Sequence, residues 1–235
     1  MKTFPKWQYN EMKLIGVDYT DVSEVEAYDL RMKKLRNIQK EIEEIINSVG
    51  LTRDQVLLEF GIGTGDLAIE VAKQCSKVIA VDVSPTMLEY AKNKAKNQGV
   101  YSIDFYQAGF LTYEHSGEPL DVVVSQLALH HLPDFWKLVA LKRVNSILKK
   151  GGKFYLRDTV YSFDTDNYKK FFNTWLNGIK QVAGEELAYD TEIAVRDEYS
   201  TYDWIMEGLI RRAGFEIERA DYFQGFLAVF VCKKV

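Results

Sequence analysis

Two hydrophobic rhythms alternate along the chain. Short aliphatic runs, Val56 to Leu58, Val78 to Val81 and Leu120 to Val124, have the β-branched and aliphatic content of strands buried on both faces. After the first run, Leu67, Ala68, Val71 and Ala72 recur at helical spacing. Ahead of it, Val25, Tyr28, Met32, Leu35, Ile38, Ile42, Ile45 and Val49 recur every three or four residues, which predicts one amphipathic helix from Ser23 to a stop at Gly50. The charges beside that stripe, Arg31, Lys33, Lys34, Arg36 and Lys40 among Glu26, Glu41, Glu43 and Glu44, mix in sign and read as a solvated face. Residues 160–202 are rich in aromatics and read as inserted helices; a further helix ends near Ala213-Gly214. Two strand-like segments close the chain, Phe215 to Tyr222 and Phe226 to Cys232, joined at Gln224-Gly225. The alternation predicts an α/β fold with a doubly wound sheet, whose ligands sit outside the carboxyl ends of the strands where strand order reverses. We expect residues 1–50 to form a helical cap and residues 51–235 the main domain, with the insertion at 160–202 arching over the sheet edge as a lid.

The most informative stretch is Glu59-Phe60-Gly61-Ile62-Gly63-Thr64-Gly65-Asp66, where the first apolar run stops at an acid and opens into three alternate glycines. Glycine lets a ligand approach the main chain closely, so a turn this rich in it, between strand and helix, points to a nucleotide-type cofactor. A dinucleotide fingerprint needs a small residue at the sixth position from Gly61, where this chain has Asp66. A carboxylate there is bulky and faces a pyrophosphate with like charge, so an NAD(P)-dependent oxidoreductase becomes the lesser alternative. The second run ends in Asp82, 19 residues beyond Gly63. An acid at about 20 residues places its oxygens on ribose hydroxyls, and each charge-assisted bond contributes roughly 1.5–3 kcal/mol.

The pattern E-x-G-x-G-x-G resembles motif I of the class I S-adenosylmethionine-dependent methyltransferases, of the quinone-biosynthesis or small-molecule type. Asp82-Val83-Ser84-Pro85-Thr86-Met87-Leu88 resembles motif II, which implies that Val83 and Met87 line the adenine. Tyr106-Gln107-Ala108-Gly109-Phe110 stands where many relatives have a Gly-Asp-Phe type sequence; Gly109 replaces the acid that receives the adenine amino group, and Phe110 follows it. Gln126 to Leu132 resembles motif IV, placing Gln126 beneath the methionine part of the cofactor, and Leu148 to Phe154 resembles the turn into the fifth strand, Phe154 to Arg157. The resemblance runs from Val56 to Asp158 in family order and implies a mostly parallel, seven-stranded Rossmann-like sheet with an antiparallel C-terminal strand. It implies S-adenosylmethionine as cofactor and S-adenosylhomocysteine as product, with Gly61, Gly63 and Gly65 at the methionine end. Glu59 either bonds the cofactor through water or satisfies backbone donors of the turn. Tyr19 and Tyr28 resemble the N-terminal tyrosine region that closes over the cofactor.

Composition narrows the partners. A net charge of −4 gives no overall basic field, which argues against nucleic acid. The start Met1 to Lys6 lacks a secretory apolar segment and no apolar run approaches the ~20 residues of a membrane span, so a cytoplasmic place is expected. Cys75 and Cys232 lack metal-type spacing and suit a reducing compartment. His130 and His131 are candidate general bases, since imidazole titrates near neutrality, although the resemblance, in which His-His-Leu after the fourth strand recurs in methyltransferases with unlike substrates, implies a role in the fold instead. A metal site is not expected, because adjacent side chains point apart and the only other histidine is His115. Asp158 either orients substrate or caps the next segment, and Tyr161 with the other insertion aromatics divides between local core and ligand wall. The function implied is methyl transfer to a small, partly apolar or aromatic acceptor, with a non-catalytic cofactor-binding partner protein as the other alternative.

Overall fold

A computed structural model describes residues 5–13, 15, 25, 29, 32 and 34–235; Tyr19 and Tyr28, expected at the lid, lie outside them. Helix α1 (Ile38–Val49) leads into β1 (Val56–Phe60), α2 (Asp66–Val71), β2 (Lys77–Asp82), α3 (Pro85–Asn97), β3 (Ile103–Gln107) and β4 (Leu120–Gln126). There follow a 3₁₀ turn at Leu129–His131, α4 (Asp134–Ile147) and β5 (Leu148–Tyr161). The insertion supplies α5 (Tyr168–Ala183) and α6 (Glu185–Asp197), and the chain closes with β6 (Thr201–Tyr202), α7 (Asp203–Arg212), β7 (Phe215–Phe223) and β8 (Leu227–Lys234).

The sheet order is β3-β2-β1-β4-β5-β8-β7, with β6 pairing β5 off this path. Strands β1 to β5 run parallel and β8 runs antiparallel to both β5 and β7. Successive strand residues face opposite sides of a sheet, and here both sides are covered. Leu58, Val81, Val123 and Phe154 belong to one apolar core. Leu57, Val78, Val122 and Tyr155 belong to the other. Two-sided burial is why these strands read as unbroken apolar runs rather than alternating ones. Strand order reverses between β1 and β4, so the ends of β1, β2 and β4 frame a crevice.

Two expectations are corrected. The single helix from Ser23 to Gly50 is interrupted: Val25, Asp29 and Met32 are helical, residues 34–37 are not, and α1 restarts at Ile38. Asn37 caps that restart, its Oδ1 accepting from the Lys40 N–H at 3.1 Å, and a capped start competes with helix continuation. Gly50 does stop the helix, in the left-handed conformation with φ 63°. The fifth strand is also longer than Phe154 to Arg157, reaching Tyr161, where Val160 and Tyr161 pair with the unforeseen β6 at Thr201 and Tyr202. Among the described residues no helix is long and apolar enough to cross a membrane.

Candidate active site

The glycine turn starts where β1 ends. The Gly61 N–H donates to the Val81 carbonyl at 2.8 Å, tying the turn to β2. Gly61 has φ +72°, and a Cβ there would stand 2.4 Å from the Ala128 Cβ, so the loop after β4 presses on this glycine. Gly61→Ala is therefore expected to destabilise the fold by about 2 kcal/mol or more through strain and overlap, lowering the melting midpoint by roughly 4–8 °C in calorimetry. Gly63 differs: at φ +52° it has no atom within 4 Å of a Cβ position and opens onto the crevice. Gly65 faces away from it, with its Cβ direction against Ala91 at 2.9 Å, so it sets the approach of α2 to α3.

Asp82 ends β2 beside Gly63. Its Oδ2 accepts from the Gly63 N–H at 2.9 Å and its Oδ1 from the Ser84 N–H at 2.9 Å. Burial raises its pKa to about 6, against the lowering effect of the Ser84, Gly63 and Val83 N–H groups. Val83, Ser84 and Met87 continue the wall as α3 begins; Ser84 caps it, accepting from the Met87 N–H at 3.2 Å. Phe110 stacks on Phe60 with ring centroids 4.5 Å apart and, with Gly109, forms the opposite wall.

These residues line a cavity of about 890 Å³ whose far end is apolar, built by Phe171, Trp175 and Ile179 of α5 with Phe226 and Leu227 at the closing hairpin. Trp175 stacks on Phe226 at 4.1 Å and Phe163 on Phe171 at 3.8 Å. Tyr161 lines the same space with its ring edge on Phe163 and Phe172.

A charged cluster at the cavity floor was not foreseen. Arg36, read as part of a solvated face, donates through Nε and Nη2 to Glu41 Oε2 at 2.9 and 2.6 Å, and through Nη2 to Gln126 Oε1 at 3.2 Å. Arg157 reaches the other oxygen of Glu41 at 2.8 Å. Two guanidinium groups thus share one carboxylate, leaving a surplus positive charge beside Gln126. Glu59 lies beneath, 2% exposed, at a hollow of about 70 Å³ next to Arg36 and Thr64. One of its oxygens, Oε2, has no hydrogen-bond partner. Burial first, then the Asp82 and Asp66 charges, hold its carboxyl well above the usual range.

The histidine pair separates into two roles. The His130 N–H donates to Asp158 Oδ2 at 3.1 Å, its Nδ1 pairs with Asp158 Oδ1, and its Nε2 lies 3.3 Å from Glu198 Oε2. Burial alone would lower its pKa, but the two carboxylates outweigh it and raise His130 to about 10. His131 moves the other way, to about 4, through burial and then the positive charge of His130. Its Nδ1 has no hydrogen-bond partner and the residue lines the cavity. Asp158 is fully buried behind His130 and does not itself reach the cavity wall.

The argument that adjacent histidines point apart is overturned, since the rings lie 4.4 Å apart and His130, His131 and Glu198 bring donor atoms within 4.8 Å of one another. The 3₁₀ turn at Leu129–His131 swings both to one side. The raised pKa of His130 means that a cation at this cluster would compete with a proton for the ring nitrogens.

Comparison with known proteins identifies the family and the fold. A family description for the methyltransferase domain matches residues 57–152. An uncharacterized methyltransferase of Geobacillus sp. is 30% identical over 193 residues, 82% of this chain and 83% of that protein. One from Bacillus mycoides is 31% identical over 201 residues, 85% of this chain and 86% of that protein. The solved structure of a SAM-dependent methyltransferase from Aquifex aeolicus shares the fold, with TM-score 0.64 at 17% identity over 92% of this chain and 99% of that one. An S-adenosylmethionine-dependent methyltransferase from Clostridium acetobutylicum gives TM-score 0.67 at 14% identity over 90% of this chain and 98% of that one. The chain belongs to the methyltransferase family and has the fold of its class I, S-adenosylmethionine-dependent branch.

Proposed function

We propose that the protein transfers the methyl group of S-adenosylmethionine to a small, partly apolar or aromatic molecule held against the insertion helices. The observation that carries this reading is one continuous cavity with a polar cofactor corner at Gly63 and Asp82 and an aromatic end at Phe171 and Trp175. Its volume of about 890 Å³ falls at the upper part of the range for small-molecule sites. The open face of Gly63, the Asp82 carboxylate and the orphaned Glu59 oxygen suit the donor's sugar and amino acid.

When bound, the cofactor supplies a methyl group already activated on a sulfonium. Asp82 accepts from the ribose hydroxyls, and Val83, Met87 and Phe110 surround the adenine. Gly61 and Gly63 give backbone contact to the methionine end, where Gln126 and the surplus charge of Arg36 and Arg157 receive its carboxylate and Glu59 faces its amino group. The insertion and N-terminal segments act as a lid that excludes water and holds the acceptor in line with the methyl.

The protein's contribution to the chemistry is alignment more than proton removal. His131 lines the cavity, but its Nδ1 is buried, 3.8 Å from Glu198 Oε1, and with a pKa of about 4 the ring holds a proton only weakly at neutral pH. His131→Ala is accordingly expected to lower kcat by less than about 10²-fold, the lower bound of ordinary general-base effects. A larger fall, with a pH break restored by His131→Asp, would assign it the base.

Thermal-shift measurement with S-adenosylmethionine, S-adenosylhomocysteine, NAD and NADP tests the cofactor. Ligand at 100 times its dissociation constant adds ~2.7 kcal/mol, raising the midpoint by roughly 5–10 °C at this size. A shift with NAD alone overturns the reading. Mass-spectrometric screening of small aromatic and aliphatic acceptors then tests the substrate class; methylation of nucleic acid instead would refute it.

A further inference from the structure

Gly109 leaves the adenine wall without the acid that this family's Gly-Asp-Phe pattern places there. The space is filled from elsewhere. A Cβ built on Gly109 would meet the Glu11 carboxyl carbon at 2.5 Å and its two oxygens at 2.5 and 2.8 Å, so the Glu11 carboxylate stands where an acidic side chain on residue 109 would. It is anchored: the Leu111 N–H donates to Oε1 at 2.9 Å and to Oε2 at 3.0 Å, and Thr112 Oγ1 donates to Oε1 at 2.7 Å. Thr112 Oγ1 in turn accepts the Gly109 N–H at 2.9 Å. Of the three bonds to Glu11, Oε1 accepts two and Oε2 one, and the Thr112 N–H also acts on the carboxylate, which with three donors on four lone-pair sites keeps one to offer. Glu11 lines the cavity together with Val83, Met87 and Phe110.

We propose that Glu11, carried on the segment ahead of the sheet domain, is the acid that reads the adenine amino group in place of residue 109. This rests on the cofactor reading given above. The carboxylate accepts the hydrogen bond from the exocyclic amino group, so adenine recognition and docking of the N-terminal segment become one event. The same segment is pinned at its other side, where the Tyr9 hydroxyl donates to the His131 carbonyl at 3.1 Å. Cofactor binding therefore fixes a wall that runs from the adenine to the histidine turn.

The test is isothermal titration calorimetry with S-adenosylhomocysteine and S-inosylhomocysteine, in which a 6-oxo group replaces the amino group. Wild type is expected to prefer the amino compound by roughly 10- to 100-fold, the range for a hydrogen bond to a charged group. Glu11→Ala should bind both compounds alike. The double variant Glu11→Ala with Gly109→Asp, which returns an acid to the strand end, should recover the preference. Glu11→Gln keeps the anchor through its amide oxygen and turns the NH₂ toward the ligand, so its preference should reverse toward the oxo compound. If Glu11→Ala does not fold, the double variant and Glu11→Gln carry the test. Retention of the full amino preference in Glu11→Ala or Glu11→Gln, or a wild type that binds both compounds equally, would overturn the assignment while leaving the cofactor site standing. A wild type that binds neither compound overturns both.

Discussion

Replacing Asp82 by alanine is expected to weaken S-adenosylhomocysteine binding by roughly 10²- to 10⁴-fold, the loss of two charge-assisted hydrogen bonds of ~1.5–3 kcal/mol each. The side chain is placed for this by its own backbone cradle, in which the Gly63 and Ser84 N–H groups hold one oxygen each. Asp82→Asn separates charge from shape. It keeps the volume, but its NH₂ must face one of those N–H groups, so binding should fall nearly as far while the fold persists. Because the free carboxyl titrates at about 6, above its ordinary 3.8, cofactor affinity should decline as pH falls through that region. For stability the raised value acts oppositely: the contribution is complete below 3.8 and is lost as pH rises through about 6. Calorimetric titrations between pH 5 and 8 read the affinity change directly. A pH-independent affinity shared by wild type and Asp82→Asn would show that the carboxylate does not hold the sugar.

Asp158→Ala should be the most destabilising single change near the cavity, by about 3–5 kcal/mol, because it removes one partner of a buried ion pair. His130 then retains its charge against Glu198 alone or gives up its proton. The pH signature is specific. The His130 pKa is raised from 6.5 to about 10, so the stabilisation is complete below 6.5 and disappears as pH rises through about 10. Wild-type melting temperature should therefore fall between those limits, and the slope should flatten in Asp158→Ala and in His130→Ala. Equal slopes in all three proteins would mean that the pair is not held charged.

The sheet was legible because its chemistry is local. A strand covered on both faces must be apolar at every position, and Leu57 and Leu58 reach opposite cores for that reason. The turn at Gly61 to Gly65 and the acid at Asp82 follow from backbone needs and chain spacing, which a sequence displays directly. What stayed hidden depends on contacts between distant segments. Arg36 and Glu41 looked like ordinary members of a charged helix face, and their ties to Gln126 and Arg157 span some 90 residues or more. Glu198 meets the histidines only once α6 has packed across the strand ends. The break at residues 34–37 gave a signal that was available, since Asn37 is a favoured helix-capping residue inside an apparently continuous stripe.

The pairing of β5 with β6 has an evolutionary consequence. Val160 lies opposite Thr201 and Tyr161 opposite Tyr202, so everything between them leaves and re-enters the scaffold through a single doorway. Loop closure changes by only about 0.6 kcal/mol for each doubling of length. Most of the intervening 39 residues, 162–200, can therefore vary like a cassette, provided that a carboxylate returns to the place of Glu198 beside His130. A descendant could acquire a new acceptor by rewriting this stretch while the donor-holding half of the molecule is inherited unaltered.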